Sequence, residues 1–308
     1  MKYSVVIPVY NEAVNIKYLY ERLSKTFVKE KKEIEFIFIN DGSNDGTLDK
    51  LIQLNRKDFR VKIINFSRNF GHQMAVSAGL KFCRGEMIGI IDADLQDPPE
   101  LLLNFFQRLK EGYDVVYAIR KKRKESLLMK LAYVSYYRLL KMIAEIDIPL
   151  DSGDFCALKR RVVEAINSLP ERNRFIRGIR SWVGFKQIGL EYERNERYAG
   201  KSKYNLKRLL KLAFDGVFSF SYLPFKFMFY LGFFALIFSF FGGIFIFYMK
   251  FFTANYNKVP GFATTITLLI FFGGLQLFTL GITGEYIKRI YDEVKQRPPY
   301  IIESKIGF

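Results

Sequence analysis

The sequence predicts an α/β domain joined to two membrane-spanning helices, and three observations lead to that fold class. First, strand-like and helix-like patterns alternate over residues 1–120, which is typical of a largely parallel sheet with helices on both faces. Second, two long apolar segments near the carboxyl terminus contain no charged residue. Third, the 308-residue chain has 48 Lys and Arg against 31 Asp and Glu, a net charge of +17. This excess favours a phosphorylated ligand, an anionic membrane surface or a nucleic acid as partner.

The first domain contains five short apolar runs with the composition of buried strands. They are Tyr3–Val9, Ile34–Asn40, Val61–Phe66, Met87–Ile91 and Val115–Ala118. Helical patterns lie between them at Val14–Lys29, Asp45–Lys57, Gln73–Phe82 and Pro99–Lys110. Because open sheets bind ligands beyond the carboxyl ends of their strands, we expect the functional loops at 8–15, 41–46, 67–73 and 92–97.

The stretch 88–99, I-G-I-I-D-A-D-L-Q-D-P-P, is the centre of this pattern. An apolar strand delivers Asp92, Asp94 and the amide of Gln96 onto one loop. These hard oxygen donors suit Mg²⁺ or Mn²⁺ carrying a diphosphate. Taken alone, the motif would equally fit a solvated, Asp-rich turn.

The segment 125–143 has a broad apolar face and a basic remainder, and it follows the basic run 120–124. It fits a helix lying in a membrane interface, or one packed on the domain's own core. A second basic amphipathic helix is predicted within 205–225. The first domain therefore spans 1–204, with a polar strand-forming loop at 151–158, a helix at 160–168 and a mobile loop at 196–204.

The two charge-free segments, Phe227–Met249 and Val259–Gly284, are long enough to cross a bilayer core, which takes about 20 residues. A charge at the centre of such a helix costs about 2.5–3.5 kcal/mol, so its absence from both is informative. We predict membrane spans at 226–250 and 259–285. Basic residues dominate the outer flanks of the two spans, which places the large domain and the tail 286–308 in the cytoplasm.

Two cysteines far apart in sequence indicate neither a disulfide framework nor a thiolate metal site.

Three strings, P-V-Y-N-E at 8–12, N-D-G-S-N-D-G-T at 40–47 and D-A-D-L-Q-D-P-P-E at 92–100, resemble family 2 glycosyltransferases. Over nearly its full length the chain is similar to the polyprenyl-phosphate sugar transferases. These include dolichol-phosphate mannose synthases and, closer because of the two spans, bacterial undecaprenyl-phosphate (bactoprenol) glucosyltransferases. The resemblance implies a glycosyltransferase A-type, Rossmann-like domain that uses a nucleotide sugar, a divalent metal and a polyprenyl phosphate.

The resemblance also implies roles for individual residues. Pro8, Tyr10 and Glu12 would line the nucleotide base and ribose, and Asp41 would meet the base or ribose. Asp92 would hold the ribose or sugar side of the donor, while Asp94 and Gln96 would face the metal. Asp154, in S-G-D-F, would stand near the acceptor as a general base or as an orienting group. His72, the only histidine, would be a wall residue.

Two anions, the donor diphosphate and the lipid phosphate, would meet at such a site, so basic residues must offset their repulsion. The candidates are Arg177, Arg180, Arg197, Lys201 and Lys203. The segment 197–204 resembles the family's mobile loop that closes over the diphosphate, with Ser202 and Lys203 as contacts. Arg177, Arg180 and Lys201 are the candidates for the acceptor phosphate and the diphosphate.

The expected reaction is inverting transfer of a single hexose, glucose from UDP-glucose, to undecaprenyl phosphate at the cytoplasmic membrane face. Processive relatives carry Q-x-x-R-W, whereas the nearest string here, R-G-I-R-S-W at 177–182, lacks the Gln. There are two alternatives. The protein could transfer the sugar to another lipid such as diacylglycerol, or it could be a non-catalytic membrane subunit that binds a nucleotide sugar. Nucleic acid is not expected because the basic residues cluster at the membrane flanks without a stacking platform. The Gly- and Phe-rich spans could also pack between subunits of a homo-oligomer.

Overall fold

The computed structural model describes residues 1–120, 152–172, 174–193, 223–252 and 261–308. These residues belong to two compact units. One contains the amino-terminal domain together with Arg297–Phe308, and the other contains two long helices. The predicted interface helix at 125–143 lies outside the described residues, as does most of the predicted juxtamembrane helix at 205–225.

In the described part of the first unit, eight strands form one sheet. They are β1 (Tyr3–Val9), β2 (Ile34–Asn40), β3 (Val61–Phe66), β4 (Met87–Ile90), β5 (Val115–Arg120), β6 (Ser152–Lys159), β7 (Gln187–Tyr192) and β8 (Ile302–Ile306). Their order across the sheet is β7-β5-β6-β4-β1-β2-β3-β8. The first three strands have the bounds that the sequence predicts, because each is an apolar run that ends at polar loop residues.

The centre of the sheet is parallel, as expected, but the sheet as a whole is mixed. Strand β1 pairs in parallel with β2 and β4, and β2 pairs in parallel with β3. Strand β6 runs antiparallel between β4 and β5, and β8 runs antiparallel beside β3. Strand β7 pairs in parallel with β5, so six of the eight described strands run in one direction and only β6 and β8 are reversed, and the expectation of a largely parallel sheet is confirmed.

Six helices are described in this unit: α1 (Ile16–Thr26), α2 (Thr47–Lys57), α3 (His72–Phe82), α4 (Leu101–Lys110), α5 (Arg160–Ser168) and α6 (Ile176–Trp182). Helix α1 shows why they pack on the sheet: Ile16, Leu19 and Leu23 share one face and are fully buried. Phe27, just beyond that helix, contacts the rings of Phe36 and Phe106. This apolar core fixes the strand ends that carry the polar loops.

The second unit has two long helices, α7 (Leu223–Phe252) and α8 (Gly261–Val294). Within them, Phe225–Met249 and Leu268–Val294 are long and apolar enough to cross a membrane, with mean hydropathies of 2.2 and 1.5. Helix α8 continues past the predicted end of the second span at residue 285. Its last turns are charged, and Glu285 pairs there with Arg289 at 3.3 Å.

The carboxyl-terminal stretch, expected from the sequence as a tail at 286–308, contains the end of α8 and then β8. Strand β8 pairs with β3 over Ile63↔Ile306 to Phe66↔Ile302. The chain therefore returns to the sheet of the first unit after the two apolar helices.

Candidate active site

The carboxyl ends of β1, β2, β3 and β4 lie along one edge of the sheet because these strands are parallel. In the register of β1 and β2, Val9 pairs with Asn40, and the amide of Asp41 donates to the Val9 carbonyl at 2.9 Å. The predicted loops after all four strands are thereby gathered at this edge. This is the position at which open α/β sheets bind ligands.

The loops after β1 and β2 are tied to each other by several hydrogen bonds. The Asn11 amide donates to Ser43 Oγ at 2.9 Å, and the Asn44 amide donates to Asn11 Oδ1 at 2.9 Å. Asp45 Oδ2 accepts from the amide of Ala13 at 3.1 Å. Asn11 has a φ of +53°, a strained value that this local network supports.

These ties set the positions of the three residues predicted to line the nucleotide base and ribose. Pro8 is buried within β1, Tyr10 is exposed over 38% of its surface, and Glu12 is half-buried. The carboxylate of Glu12 accepts from Asn15 Nδ2 at 2.7 Å. Tyr10 and Glu12 therefore remain accessible on the loop, whereas Pro8 is buried in the strand that precedes it.

Asp41 is buried and is held by backbone amides of the loop after β3. Its Oδ1 accepts from Phe70 N at 2.7 Å, and its Oδ2 accepts from Gly71 N at 3.0 Å. Burial raises the pKa of Asp41, and the two amide hydrogen bonds act in the opposite direction. Gly42, at φ +65°, packs so closely on this loop that a Cβ would overlap the backbone of Arg68 and Asn69.

The loop after β4 carries the predicted metal-binding residues. Asp94 is buried, and its Oδ1 accepts from the Gln96 amide at 3.2 Å, across Leu95 at φ +61°. Among the residues that the structure describes, no group of three or more His, Cys, Asp or Glu could hold a metal by itself. The donors present fit Mg²⁺ or Mn²⁺ only if a ligand's phosphates supply further oxygens, which is how proteins usually bind Mg²⁺.

Asp154 lies on β6, directly beside this loop. Strands β4 and β6 pair in the register Met87↔Lys159 to Ile90↔Cys156, and the same register continued two residues further places Asp154 opposite Asp92. The antiparallel direction of β6 therefore brings a third carboxylate to the edge where β4 ends.

Three side chains surround the Asp154 carboxylate: Arg177, His72 and Gln73. Arg177 donates from Nε to Oδ1 at 2.7 Å and from Nη2 to Oδ2 at 3.1 Å. His72 Nε2 lies 3.2 Å from Oδ2 of Asp154 and 3.7 Å from Oδ1 of Asp92. Gln73 Nε2 donates to Oδ2 at 3.4 Å, while its Oε1 accepts from the Ile176 amide at 2.9 Å.

The charges of this cluster shift its pKa values in opposite directions. Burial raises the pKa of Asp92 to about 6, aided by the nearby carboxylates and opposed by His72. Burial alone would lower the pKa of His72, but the charges of Asp92 and Asp154 raise it to about 9. Burial likewise acts to raise the pKa of Asp154, yet Arg177 and His72 hold it well below its usual range. Asp154 is therefore ionised at neutral pH and is a weak base.

Two further predicted phosphate contacts, Arg177 and Arg180, have protein partners in the structure. Arg177, expected to contact phosphate, forms the ion pair with Asp154. Arg180 is buried, 1% exposed, and lies over the Tyr117 ring at 4.9 Å from the centroid. The remaining predicted contacts, Arg197, Lys201, Ser202 and Lys203, lie outside the described residues.

His72 and Gln73 are the residues whose part in the cluster the sequence did not reveal. His72 was expected only as a wall residue, whereas it bridges two carboxylates. Gln73 is predicted only as the last residue of the functional loop 67–73, whereas in the structure it links Asp154 to the start of α6. The sequence signal for both is their place at the end of the predicted functional loop 67–73, which the structure shows as the start of α3.

Comparison with known proteins assigns this arrangement to a family. The family model described as glycosyl transferase family 2 matches residues 4–166, just over half of the chain. The chain belongs to glycosyl transferase family 2. An uncharacterized glycosyltransferase of Bacillus subtilis is 46% identical over 308 residues, which is 100% of this chain and 95% of that protein. The prophage-derived bactoprenol glucosyl transferase of Shigella flexneri is 40% identical over 305 residues, 99% of this chain and 98% of the relative.

The family 2 assignment confirms the predicted fold class and the prediction of a glycosyltransferase. Among solved structures, glucosyl-3-phosphoglycerate synthase from Mycobacterium tuberculosis in complex with phosphoglyceric acid superposes with a TM-score of 0.46 at 22% identity. The overlap covers 69% of this chain and 76% of that one, and it does not bear on the substrate.

Proposed function

We propose that this family 2 glycosyltransferase transfers one glucose from UDP-glucose to a polyprenyl phosphate, undecaprenyl phosphate, at the cytoplasmic membrane face. Relatives that align over 99% of the chain are named bactoprenol glucosyl transferases, which supports both the sugar and the lipid. The Asp and Gln residues at the carboxyl edge of the sheet support a nucleotide-sugar site.

The ion pair between Asp154 and Arg177 is the observation that carries the acceptor assignment. The oxygens of Asp154 accept two hydrogen bonds from Arg177, and His72 lies against Oδ2. A carboxylate with so low a pKa removes a proton poorly, so it suits an acceptor that is already ionised. A polyprenyl phosphate meets that condition because the second pKa of a phosphate monoester is about 6. A hydroxyl acceptor would need a stronger base.

In the proposed reaction, a phosphate oxygen of the lipid attacks the anomeric carbon of glucose from the face opposite the diphosphate. The bond from that carbon to the diphosphate oxygen breaks, and its electron pair leaves with UDP. The products are the inverted glucosyl phospholipid and UDP, and no proton needs to be transferred in this step. Asp154, fixed by Arg177, orients the sugar beside the acceptor.

The donor would be placed by the first two loops, with Tyr10 and Glu12 at the base and ribose and Asp41 between the strand ends. Asp92 would contact the ribose or the sugar. Asp94 and Gln96 would hold Mg²⁺ or Mn²⁺, which supplies positive charge for the leaving diphosphate when bound. Arg197, Lys201, Ser202 and Lys203 would complete the diphosphate and lipid-phosphate contacts.

The two apolar helices would anchor the enzyme beside its lipid substrate. Strand β1 precedes both helices and β8 follows both, yet the two strands share one sheet. If the helices span a membrane, the chain must cross it an even number of times between β1 and β8. The excess of basic residues at the outer flanks then supports a cytoplasmic position for the sheet.

A comparison of acceptors tests this proposal. Purified full-length protein in detergent with Mg²⁺ and labelled UDP-glucose would be offered undecaprenyl phosphate, undecaprenol or diacylglycerol in separate reactions. Transfer to undecaprenyl phosphate alone is expected. Transfer to a hydroxyl lipid, with none to the phosphate, would contradict the acceptor assignment.

A further inference from the structure

The C-terminal segment, residues 297–308, follows the second apolar helix and returns to the edge of the sheet that β3 would otherwise form. Its strand β8 pairs with β3, and the Ser67 amide, just beyond β3, donates to the Ile301 carbonyl at 3.1 Å. The segment thus lies beside the strand whose following loop, residues 67–71, supplies the amides that hold Asp41. Two independent routes connect the segment to that carboxylate.

The first route is polar. Glu303 Oε2 accepts from Asn65 Nδ2 at 2.7 Å, and Asn65 Oδ1 accepts from Asn40 Nδ2 at 2.7 Å. Asn40 directly precedes Asp41 in the chain. Both asparagines are buried, at 5% and 1% exposure, so water is a poor substitute for either partner.

The second route is aromatic. Tyr300 stacks on Phe66, with ring centroids 5.0 Å apart and planes 13° from parallel. Phe66 meets the edge of Phe70 at 5.7 Å. The backbone amide of Phe70 is the donor that lies 2.7 Å from Asp41 Oδ1. A change at Tyr300 would therefore be transmitted to Asp41 through two ring contacts and one hydrogen bond.

We infer that the C-terminal segment positions the nucleotide-binding side of the active site, with Tyr300 and Glu303 as positioning residues for donor binding. This inference rests on the proposed function, because it takes Asp41 to be a nucleotide contact. It has a consequence for the architecture: residues on both sides of the two apolar helices in sequence are needed to complete one donor site.

Paired substitutions in the full-length protein test each route. Tyr300→Ala removes the ring, whereas Tyr300→Phe keeps the stacking. Glu303→Ala removes the acceptor for Asn65, whereas Glu303→Gln keeps a carbonyl oxygen there. Lys305→Ala is the matched control, since Lys305 is also exposed on β8 but contacts the Phe82 ring, 4.9 Å away.

The measurements are the Kd for UDP, the KM for UDP-glucose and for lipid, and kcat. Each alanine variant should raise the Kd and the donor KM about threefold to tenfold, the size expected for one lost ring contact or hydrogen bond. The kcat and the lipid KM should stay at the wild-type value, as should all constants of Tyr300→Phe, Glu303→Gln and Lys305→Ala. A merely structural contribution would reduce the active fraction and the melting temperature without changing the donor KM.

Amide hydrogen exchange at Phe70 and Gly71, followed without nucleotide, provides a second readout. Faster exchange in Tyr300→Ala and Glu303→Ala than in their conservative partners supports the inference. An unchanged donor KM together with unchanged exchange in both folded alanine variants would overturn it. Wild-type protein that binds no UDP would refute the proposed function instead, and the exchange experiment would still report on the segment. If Tyr300→Ala does not fold, Glu303→Ala, at an exposed position, gives the same test.

Discussion

Arg177 donates two hydrogen bonds to the Asp154 carboxylate, from Nε to Oδ1 at 2.7 Å and from Nη2 to Oδ2 at 3.1 Å. Paired, charge-assisted hydrogen bonds of this kind are among the strongest in proteins and fix orientation as well as charge. The Asp154 side chain is 8% exposed and the Arg177 side chain 23%, so the carboxylate is largely shielded from solvent. The consequence is an Asp154 that is ionised at neutral pH beside the proposed acceptor site.

Asp154→Asn should therefore reduce turnover only partially. The amide keeps the shape of the side chain and one acceptor oxygen, and the phosphate nucleophile needs no base. We expect kcat with undecaprenyl phosphate to fall by less than about 100-fold, the lower limit for removing a general base. Steady-state kinetics on the two proteins measures this. A larger loss, with a change in the acidic limb of the pH–rate profile, would show that Asp154 is a general base.

Asp94→Ala should nearly abolish transfer while the fold is retained. Removing the carboxylate takes away a proposed ligand of the cation that offsets charge on the leaving diphosphate, and we expect a loss of at least about 100-fold in kcat. Chelation of divalent metal by EDTA should reduce wild-type activity to the same level. Asp49→Ala, an exposed acidic residue in the first turn of α2, is the control and should be fully active. Undiminished turnover by Asp94→Ala would refute the proposed metal site.

His72 offers a direct test of the charge cluster because it is the only histidine in the chain. Histidine-selective NMR should show one imidazole that titrates at about 9. In Asp154→Asn the titration should shift toward 6.5, since a neighbouring negative charge is lost. A wild-type imidazole that titrates at 6.5 would contradict the cluster.

The same shift has a consequence for stability, because the pKa of His72 is raised on folding from 6.5 to about 9. The protonated His72 therefore adds to the free energy of unfolding. This stabilisation is full below pH 6.5 and is lost as the pH rises through 9. The melting temperature of wild-type protein should therefore exceed that of His72→Gln most below pH 6.5. The difference should shrink between pH 6.5 and 9, as measured by thermal unfolding in detergent.

Gly42→Ala should weaken donor binding by displacing the loop that holds Asp41. A Cβ at Gly42 would overlap the backbone of Arg68 and Asn69, and φ of +65° is itself unfavourable for alanine. Gly46→Ala is the matched control, because Gly46 has φ of +81° but open space around it. The Kd for UDP should rise in the first variant well above its value in the second. Equal values would mean that backbone strain alone, and not the loop contact, affects the site.

Much of the fold could be predicted because its signals are local. Strands β1, β2 and β3 are apolar runs that stop at polar residues, and their predicted and observed bounds agree. The two apolar helices were predicted from length and the absence of charge, and both are helical in the structure. Helix α5 has its predicted bounds as well.

The strands that the sequence did not reveal depend on distant partners. Strand β8, with the sequence I-E-S-K-I, is short and alternating, and it follows a helix that ends at Val294. Only its pairing with β3 makes it a strand. The direction of β6 likewise follows from its place between β4 and β5, which no local pattern encodes.

In the candidate site, too, some features could be predicted from local sequence and others could not. The acidic loops were recognisable because each directly follows an apolar strand. The bridge from His72 to Asp154 joins residues 82 positions apart on α3 and β6, and no spacing rule connects them. The pairing of Arg177 with Asp154 was equally hidden, since a basic residue near an acidic motif could bind a ligand or the motif itself.

The most direct measurement counts products. Purified full-length protein, Mg²⁺, labelled UDP-glucose and undecaprenyl phosphate would be incubated, and lipid-extractable label and released UDP would be quantified in the same samples. We expect one lipid-linked glucose for each UDP released, and neither product above background without the lipid phosphate. UDP release without labelled lipid, or several sugars on each lipid, would contradict single-sugar transfer to a polyprenyl phosphate.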